Sequence, residues 1–130
     1  MYKELIKEAF KAKEKAYAPY SNFSVGAALL GKDNRIYTGC NIENVSFGAT
    51  RCAEQVAIFK AISEGQREFK AIAIVSDEEG FTFPCGICRQ VMVEFKIPRV
   101  ILGDLQGRYK EYGLDELMPY GFDSFDIPVK

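Results

Sequence analysis

The positions of three cysteines constrain this chain more than any other feature of its sequence. Cys85 and Cys88 are separated by two residues and follow Pro84, and Cys52 lies 33 residues before Cys85. A separation of two residues lets both sulfurs face one ion where the chain turns into a helix. If a second helix starts at Cys52 and the two helices pack with their N-termini together, all three thiols converge.

The residue types around these cysteines indicate zinc with an open coordination position. The chain has no histidine among its 130 residues, and Glu54 lies two residues after Cys52. Three soft ligands leave a fourth position for water, as in a catalytic zinc site. Three thiolates and Zn²⁺ sum to a charge of −1, which two helix N-termini of roughly +0.5 each would offset. Without histidine, Glu54 is the candidate for proton transfer near neutral pH.

Two other interpretations of the cysteines remain open on spacing alone. Cys40 could be a fourth ligand in a structural zinc site, although its position at the end of a predicted strand favours a small core residue. Cys85 and Cys88 could form a redox pair at a helix start, where thiol pKa values fall. The redox interpretation leaves Cys52 and Glu54 without a role.

Composition predicts a single domain spanning 1–130 and excludes several classes of partner. Hydrophobic residues make up 48% of the chain, enough for one core. The 17 basic and 18 acidic residues are scattered and leave a net charge of −1, so neither a nucleic-acid polymer nor a membrane surface is expected as partner. The charged N-terminal pattern and the lack of a membrane-length apolar run favour a cytoplasmic protein, in which disulfides are disfavoured.

The hydrophobic pattern predicts an α/β fold with helices packed on a mixed sheet. Helices are predicted over 2–17, 52–64 and 86–96, strands over 25–30, 35–40, 69–76, 98–103 and 108–112, and one helical turn over 115–118. A loop is expected over 41–50, and a tail containing Phe122 and Phe125 at the end. The second helix is apolar nearly all round, which predicts burial on every side. The strand over 69–76 is apolar almost throughout, as expected of a strand covered on both faces.

The sequence resembles a known family of deaminases. Cys52-Ala53-Glu54 followed by Pro84-Cys85-Gly86-Ile87-Cys88 resembles the zinc signature of nucleoside and nucleobase deaminases. Cysteine in its first position resembles the branch acting on free nucleosides, the cytidine deaminases. The likeness extends to 17–28 and 39–44. It implies a three-layer α/β/α sandwich with a mixed sheet of about five strands, one Zn²⁺ per subunit, and hydrolysis of cytidine and deoxycytidine to uridine and deoxyuridine for pyrimidine salvage.

The resemblance also implies roles for individual residues. The zinc ligands would be Cys52, Cys85 and Cys88, and Glu54 would carry the proton. The substrate-binding residues would be Phe23, Val25, Asn41, Glu43, Ala53 and Pro84. Within this set, Asn41 and Glu43 would hold the ribose 3′-hydroxyl, and backbone groups of Ala53 and Pro84 would contact the base edge. Phe23 would pack on the pyrimidine, with core filling as the equally simple alternative.

The family's members of this length resemble homotetramers, and by that likeness Phe47 and Phe122 would contribute aromatic side chains to a neighbour's site. The chain departs from the family at Gln55, where arginine is common beside the zinc thiolates. Our hypothesis is that Arg51 or Arg89 supplies the missing positive potential. The alternative is that Gln55 and the helix dipoles suffice. A deaminase of a base-modified nucleoside and a non-catalytic zinc module are the rival functions.

Overall fold

A five-stranded mixed sheet with the order β2-β1-β3-β4-β5 organises the chain in a computed structural model that describes residues 2–123. The strands are β1 (Val25–Gly31), β2 (Ile36–Cys40), β3 (Phe69–Ser76), β4 (Arg99–Gly103) and β5 (Tyr109–Gly113). The helices are α1 (Tyr2–Lys13), α2 (Ala53–Ser63), α3 (Gly86–Glu94) and α4 (Leu114–Leu117), with a 3-10 turn over Phe47–Ala49. The predicted tail residue Phe125 lies outside the described residues.

The sheet is covered on both faces, which confirms the α/β/α sandwich inferred from the resemblance. β3 and β4 run parallel, and the other neighbouring strands pair antiparallel. The apolar pattern of β3 follows from this double covering. Ile72 and Ile74 belong to the core under α2 and α3, whereas Ala73 and Val75 belong to the core under α1. Among residues 2–123, no helix is both long and apolar enough to cross a membrane.

Two glycines let helix backbones approach the sheet closely from opposite sides. A Cβ at Gly26 would lie 2.0 Å from the Ala9 carbonyl oxygen of α1. A Cβ at Gly39 would lie 2.5 Å from the Ala53 carbonyl oxygen at the start of α2. Real side chains do not tolerate such distances, so glycine at these positions fixes how near each helix lies to its strand. Gly39 in particular places the N-terminus of α2 beside the end of β2.

The structure corrects two of the predictions made from the pattern. The first helix ends at Lys13 rather than at Tyr17, because the Tyr17 N–H donates to the Asn41 carbonyl and leaves the helical path. The second helix is not buried on every side, since Phe59 is 43% exposed. Most other element boundaries agree with the prediction to within two residues, the usual uncertainty of helix and strand ends.

Candidate metal centre and active site

Cys52 and Cys85 each occupy the residue that precedes a helix. Cys52 is the N-cap of α2 and Cys85 the N-cap of α3, both with extended backbone conformations. The Cys85 sulfur accepts a hydrogen bond from the Cys88 N–H at 3.5 Å. Unpaired N–H groups and the helix dipole make both positions favourable for negative charge. The fold therefore places both cysteines at helix starts, as the sequence predicts.

Three cysteine sulfurs converge between the two helix starts. The sulfurs of Cys52, Cys85 and Cys88 all lie within 4.8 Å of one another, and those of Cys52 and Cys85 are 3.9 Å apart. Zn–S bonds of about 2.3 Å in a tetrahedron place two sulfurs roughly 3.8 Å apart, so the cluster fits zinc. Cys88 is buried and Cys85 exposed, which leaves the cluster accessible from one side.

Among the described residues, 2–123, the metal-ligating group consists of three cysteines and does not include Cys40. Cys40 ends β2 and is half-buried in a groove that also contains Lys15 and Lys60. Burial raises the pKa of its thiol above the usual value, against the opposing effect of the two lysines. Neither a four-thiolate site nor a reactive thiol follows from this arrangement.

Glu54 is a buried carboxyl beside the cysteines. Its exposed fraction is 4%, and burial raises its pKa to about 7, with the Cys52 thiolate contributing in the same direction. Hydrogen bonds from its own N–H and from Cys88 oppose this increase. A carboxyl with this pKa can both accept and donate a proton near neutral pH.

The surroundings shift the pKa values of two of the thiols in opposite directions. A hydrogen bond from Cys88 lowers the pKa of Cys52 to about 6; Cys85 and Arg51 add to this effect, and burial opposes it. The same hydrogen bond, together with burial, raises the pKa of Cys88. The Gln55 amide, 6% exposed, donates from Nε2 to the Cys88 sulfur at 3.5 Å. Gln55 therefore supplies a buried donor without a charge.

The structure places the two arginines of our charge hypothesis differently. The exposed Arg51 donates from Nη1 to the Thr50 carbonyl at 2.7 Å, and its charge helps to lower the pKa of Cys52. Arg89 donates to the carbonyls of Pro84 and Leu117, at 2.8 and 2.7 Å. Both guanidinium groups thus bond to backbone oxygens, and whether either balances the charge of a metal centre stays a prediction.

A pocket of about 310 Å³ opens beside the sulfurs and Glu54. It is lined by Ser21, Phe23, Val25, Asn41, Glu43, Thr50, Arg51, Cys52, Ala53, Glu54, Thr82, Phe83 and Cys85. The loop before β1, the segment after β2, the start of α2 and the loop before α3 all contribute. Five of the six substrate-binding residues implied by the resemblance are in this set, the exception being Pro84.

Asn41 and Glu43 are held rigidly at the wall of the pocket. The Asn41 amide accepts from the Val25 N–H at 2.9 Å and donates to the Phe23 carbonyl at 2.8 Å. The Glu43 carboxylate accepts from the Ser21 hydroxyl, which lowers its pKa, and from the Ser21 N–H at 3.1 Å. Both side chains keep unused hydrogen-bonding capacity, because an amide has two N–H donors and a carboxylate about four acceptor sites.

Besides the ligand Cys88, three residues that the resemblance implies for substrate contact lie outside this pocket lining. Pro84 is buried and directly precedes Cys85. Phe47 is 79% exposed in a neighbouring open groove, which shares Ser21, Glu43 and Thr50 with the pocket. Phe122 is 55% exposed, and its carbonyl accepts from the Gln90 amide at 2.6 Å.

Sequence reasoning missed four residues of the pocket wall, namely Ser21, Thr50, Thr82 and Phe83. Thr82 and Phe83 immediately precede Pro84-Cys85, so their position in the chain was a usable signal. The ring of Phe83 packs on Tyr112, with centroids 5.5 Å apart. For Ser21 the signal was weaker, because its hydroxyl contacts Glu43 only through the folding of two distant loops.

Three converging thiols, a buried carboxyl and an accessible pocket define a metal centre of the hydrolytic type, with room for a substrate. Comparison with known families gives the finer assignment. Residues 1–104 match the cytidine and deoxycytidylate deaminase zinc-binding region, and the chain belongs to that family.

Individual relatives agree with this assignment over nearly the whole chain. The chain is 53% identical to a cytidine deaminase of Halalkalibacterium halodurans over 95% of each chain. It is 51% identical to one from Sporosarcina psychrophila, over 95% of this chain and 93% of the relative. A crystal structure of cytidine deaminase from Burkholderia pseudomallei superposes with a TM-score of 0.90 at 47% identity, covering 94% of this chain and 99% of the other.

Proposed function

We propose that this chain catalyses the zinc-dependent hydrolytic deamination of cytidine and deoxycytidine. The observation that carries the proposal is the cluster of three sulfurs within 4.8 Å beside a buried carboxyl in an open pocket. Relatives at 51% and 53% identity carry the name cytidine deaminase, which supports the substrate class. Water adds at C4 of the base, the C4–N bond breaks, and ammonia leaves with uridine or deoxyuridine as the other product.

The residues around the sulfurs have the properties that this reaction requires. Cys52, Cys85 and Cys88 would hold zinc, which when bound supplies the Lewis acidity that makes water nucleophilic near neutral pH. Glu54 takes one proton from the attacking water and delivers it to N3 of the base. It then takes the second proton from the hydroxyl added at C4 and passes it to the departing amine, so both protons of the water are accounted for. Its pKa of about 7 suits both directions of transfer. Gln55 orients Cys88 through its amide, and Arg51 favours the thiolate form of Cys52.

The remaining pocket residues bind the nucleoside in this proposal. Asn41 and Glu43 hold the ribose 3′-hydroxyl with the hydrogen-bonding capacity that their backbone contacts leave unused. Phe23 and Val25 contact the pyrimidine ring. The backbone of Ala53 at the start of α2 and that of Pro84 contact the edge of the base. Recognition of the hydroxyl by these two positioned polar groups selects for a sugar-bearing substrate.

The assembly we propose is a homotetramer of single-domain subunits, acting in cytoplasmic pyrimidine salvage. Phe47 and Phe122 are 79% and 55% exposed. Phe47 also borders a groove continuous with the pocket. In this proposal both rings contribute to the pocket of a neighbouring subunit, where burial of aromatic surface would stabilise the assembly.

One assay tests the function directly. The zinc-loaded protein is incubated with cytidine, deoxycytidine, cytosine and adenosine, while ammonia release and zinc content are measured. We expect ammonia from the two cytosine nucleosides alone, with one zinc per chain. Activity on free cytosine but not on cytidine would overturn the role of Asn41 and Glu43. A full zinc content without turnover would instead indicate a structural zinc module, and sedimentation velocity tests the tetramer independently.

A further inference from the structure

Arg89 holds the chain on both sides of the ligand Cys85. Its Nε donates to the Pro84 carbonyl at 2.8 Å, and its backbone N–H donates to the Cys85 carbonyl at 2.9 Å. These carbonyls belong to the peptide groups immediately before and after Cys85. One residue of α3 thus fixes the orientation of both peptides that carry this ligand.

Cys85 needs such support more than the other two ligands do. It is the exposed member of the group, whereas Cys88 is fully buried and Cys52 partly buried. Packing immobilises a buried side chain, but an exposed one depends on its backbone for position. Besides the hydrogen bond from the Cys88 N–H to its sulfur, Cys85 is restrained by the hydrogen bonds from Arg89 to its two flanking peptide groups.

The guanidinium group is itself anchored to a rigid part of the fold. Arg89 Nη1 donates at 2.7 Å to the carbonyl of Leu117, a buried residue of the core that contains Cys88. The next residue of α3, Gln90, donates at 2.6 Å to the Phe122 carbonyl. The end of α4 and the segment after it are thereby fastened to α3, and Arg89 connects them to the loop before Cys85.

We propose that Arg89 is a positioning residue: by bridging the Pro84 and Leu117 carbonyls it fixes Cys85, and with it the geometry of the metal centre. The inference rests on the proposed function, because Cys85 is taken as a zinc ligand. The role assigned to Arg89 here is geometric and is separate from the charge role predicted from the sequence. A planar guanidinium can donate to two carbonyls in different directions at once. A lysine ammonium is a compact point charge and lacks this fixed fork of donors.

The experiment compares Arg89→Met and Arg89→Lys with the matched control Arg67→Met. Arg67 also donates from its guanidinium to two backbone carbonyls, those of Ile62 at 2.6 Å and Gln66 at 3.4 Å, but it lies after α2, away from the cysteines. Each purified full-length protein is loaded with Co²⁺ to record thiolate-to-cobalt absorption, and with Zn²⁺ to measure kcat and KM. Thermal unfolding of each protein measures the loss of stability that both the Arg89 variants and the control are expected to show.

We expect Arg89→Met to lower kcat about 10- to 100-fold, as outer-shell partners of metal ligands do, with a smaller change in KM and an altered cobalt spectrum. Arg89→Lys should recover only part of kcat. The control should lose stability with wild-type kinetics and spectrum. The proposal is overturned if Arg89→Met behaves like the control. It is also overturned if Arg89→Lys has wild-type kinetics and a wild-type cobalt spectrum. The Arg89→Lys result decides the question alone if Arg89→Met does not fold. A wild type that binds cobalt but does not deaminate cytidine would refute the proposed function alone, because the spectra still test Arg89.

Discussion

The two faces of the sheet bury different kinds of side chain. Between the sheet and α1 lies a cluster of buried apolar residues, made up of Leu5, Ile6, Ala9, Ala28, Leu30, Ala71, Ala73, Val75 and Ile101. On the other face, α2 and α3 bury Glu54, Gln55 and Cys88 together with the apolar core. Both faces use a glycine to bring a helix close to a strand, so the difference lies in chemistry rather than in packing geometry.

This difference separates stability from function. Burying an apolar side chain is favourable, whereas burying a carboxyl costs free energy unless its surroundings compensate. The α1 face therefore has a simple structural role. On the α2 and α3 face, Glu54 is kept buried next to thiols with perturbed pKa values, a combination that marks functional sites.

Glu54→Gln should produce the largest effect on activity of any single substitution in this comparison. The amide keeps the size of the side chain but cannot carry the proton, so we expect kcat for cytidine to fall about 10³- to 10⁴-fold. Zinc content should stay at the wild-type level. Thermal stability should stay equal or rise, because a neutral group replaces a buried acid. A variant retaining more than a tenth of wild-type kcat would show that another group carries the proton.

Leu5→Ala should show the opposite behaviour on the α1 face. Leu5 is completely buried, so its truncation should lower the free energy of unfolding by about 2–5 kcal/mol. We expect kcat and KM to stay near the wild-type values, because none of the described residues of the α1 core lines the pocket. Urea denaturation and steady-state kinetics measure the two effects. The control Leu105→Ala, at a leucine 47% exposed, should change neither quantity much. A large fall in kcat would show that the faces are coupled.

Much of this separation could be predicted from the sequence, because local patterns determine it. The continuous apolar run of β3 indicated a strand covered on both faces, and the cysteine spacing indicated two helix starts that meet. The extent of α1 could not be predicted, since the chain leaves the helix after Lys13 and Tyr17 then pairs with the distant Asn41. The exposure of Phe59 was likewise hidden, because apolar composition does not tell which face of a helix lacks a neighbour.

Within the site, the sequence indicates which residues take part. It indicates much less well which hydrogen-bond partners each of them has. The sequence marked Arg89 as a charge close to the thiols, and the structure shows its donors on carbonyls instead. Side-chain partners of this kind depend on loops far apart in the chain, such as those of Ser21 and Glu43. Spacing and periodicity contain no information on such contacts.

Asp77 joins the two faces and should give the smallest effect. Its carboxylate accepts from Lys13 of α1 at 2.7 Å and from the Ser24 N–H, beside the pocket loop, at 3.1 Å. The hydrogen bond from Lys13 lowers its pKa, and burial opposes the decrease. A lowered folded pKa adds stability above the unfolded pKa of about 3.9, and this stability disappears as pH falls through the folded pKa.

Asp77→Asn should therefore reduce the unfolding free energy near neutral pH by less than about 1 kcal/mol, since the carboxylate is partly exposed. The difference from wild type should stay constant from about pH 7 to about pH 5 and then shrink as pH falls towards about 3. Urea denaturation of both metal-free proteins across this range measures it, and removal of zinc keeps acid loss of the metal from contributing. Lys13→Met should reproduce most of the neutral-pH effect. A difference that widens towards acid pH would mean that the Asp77 carboxylate is not stabilised in its ionised form, and that the contact between the α1 face and the pocket loop contributes through packing instead.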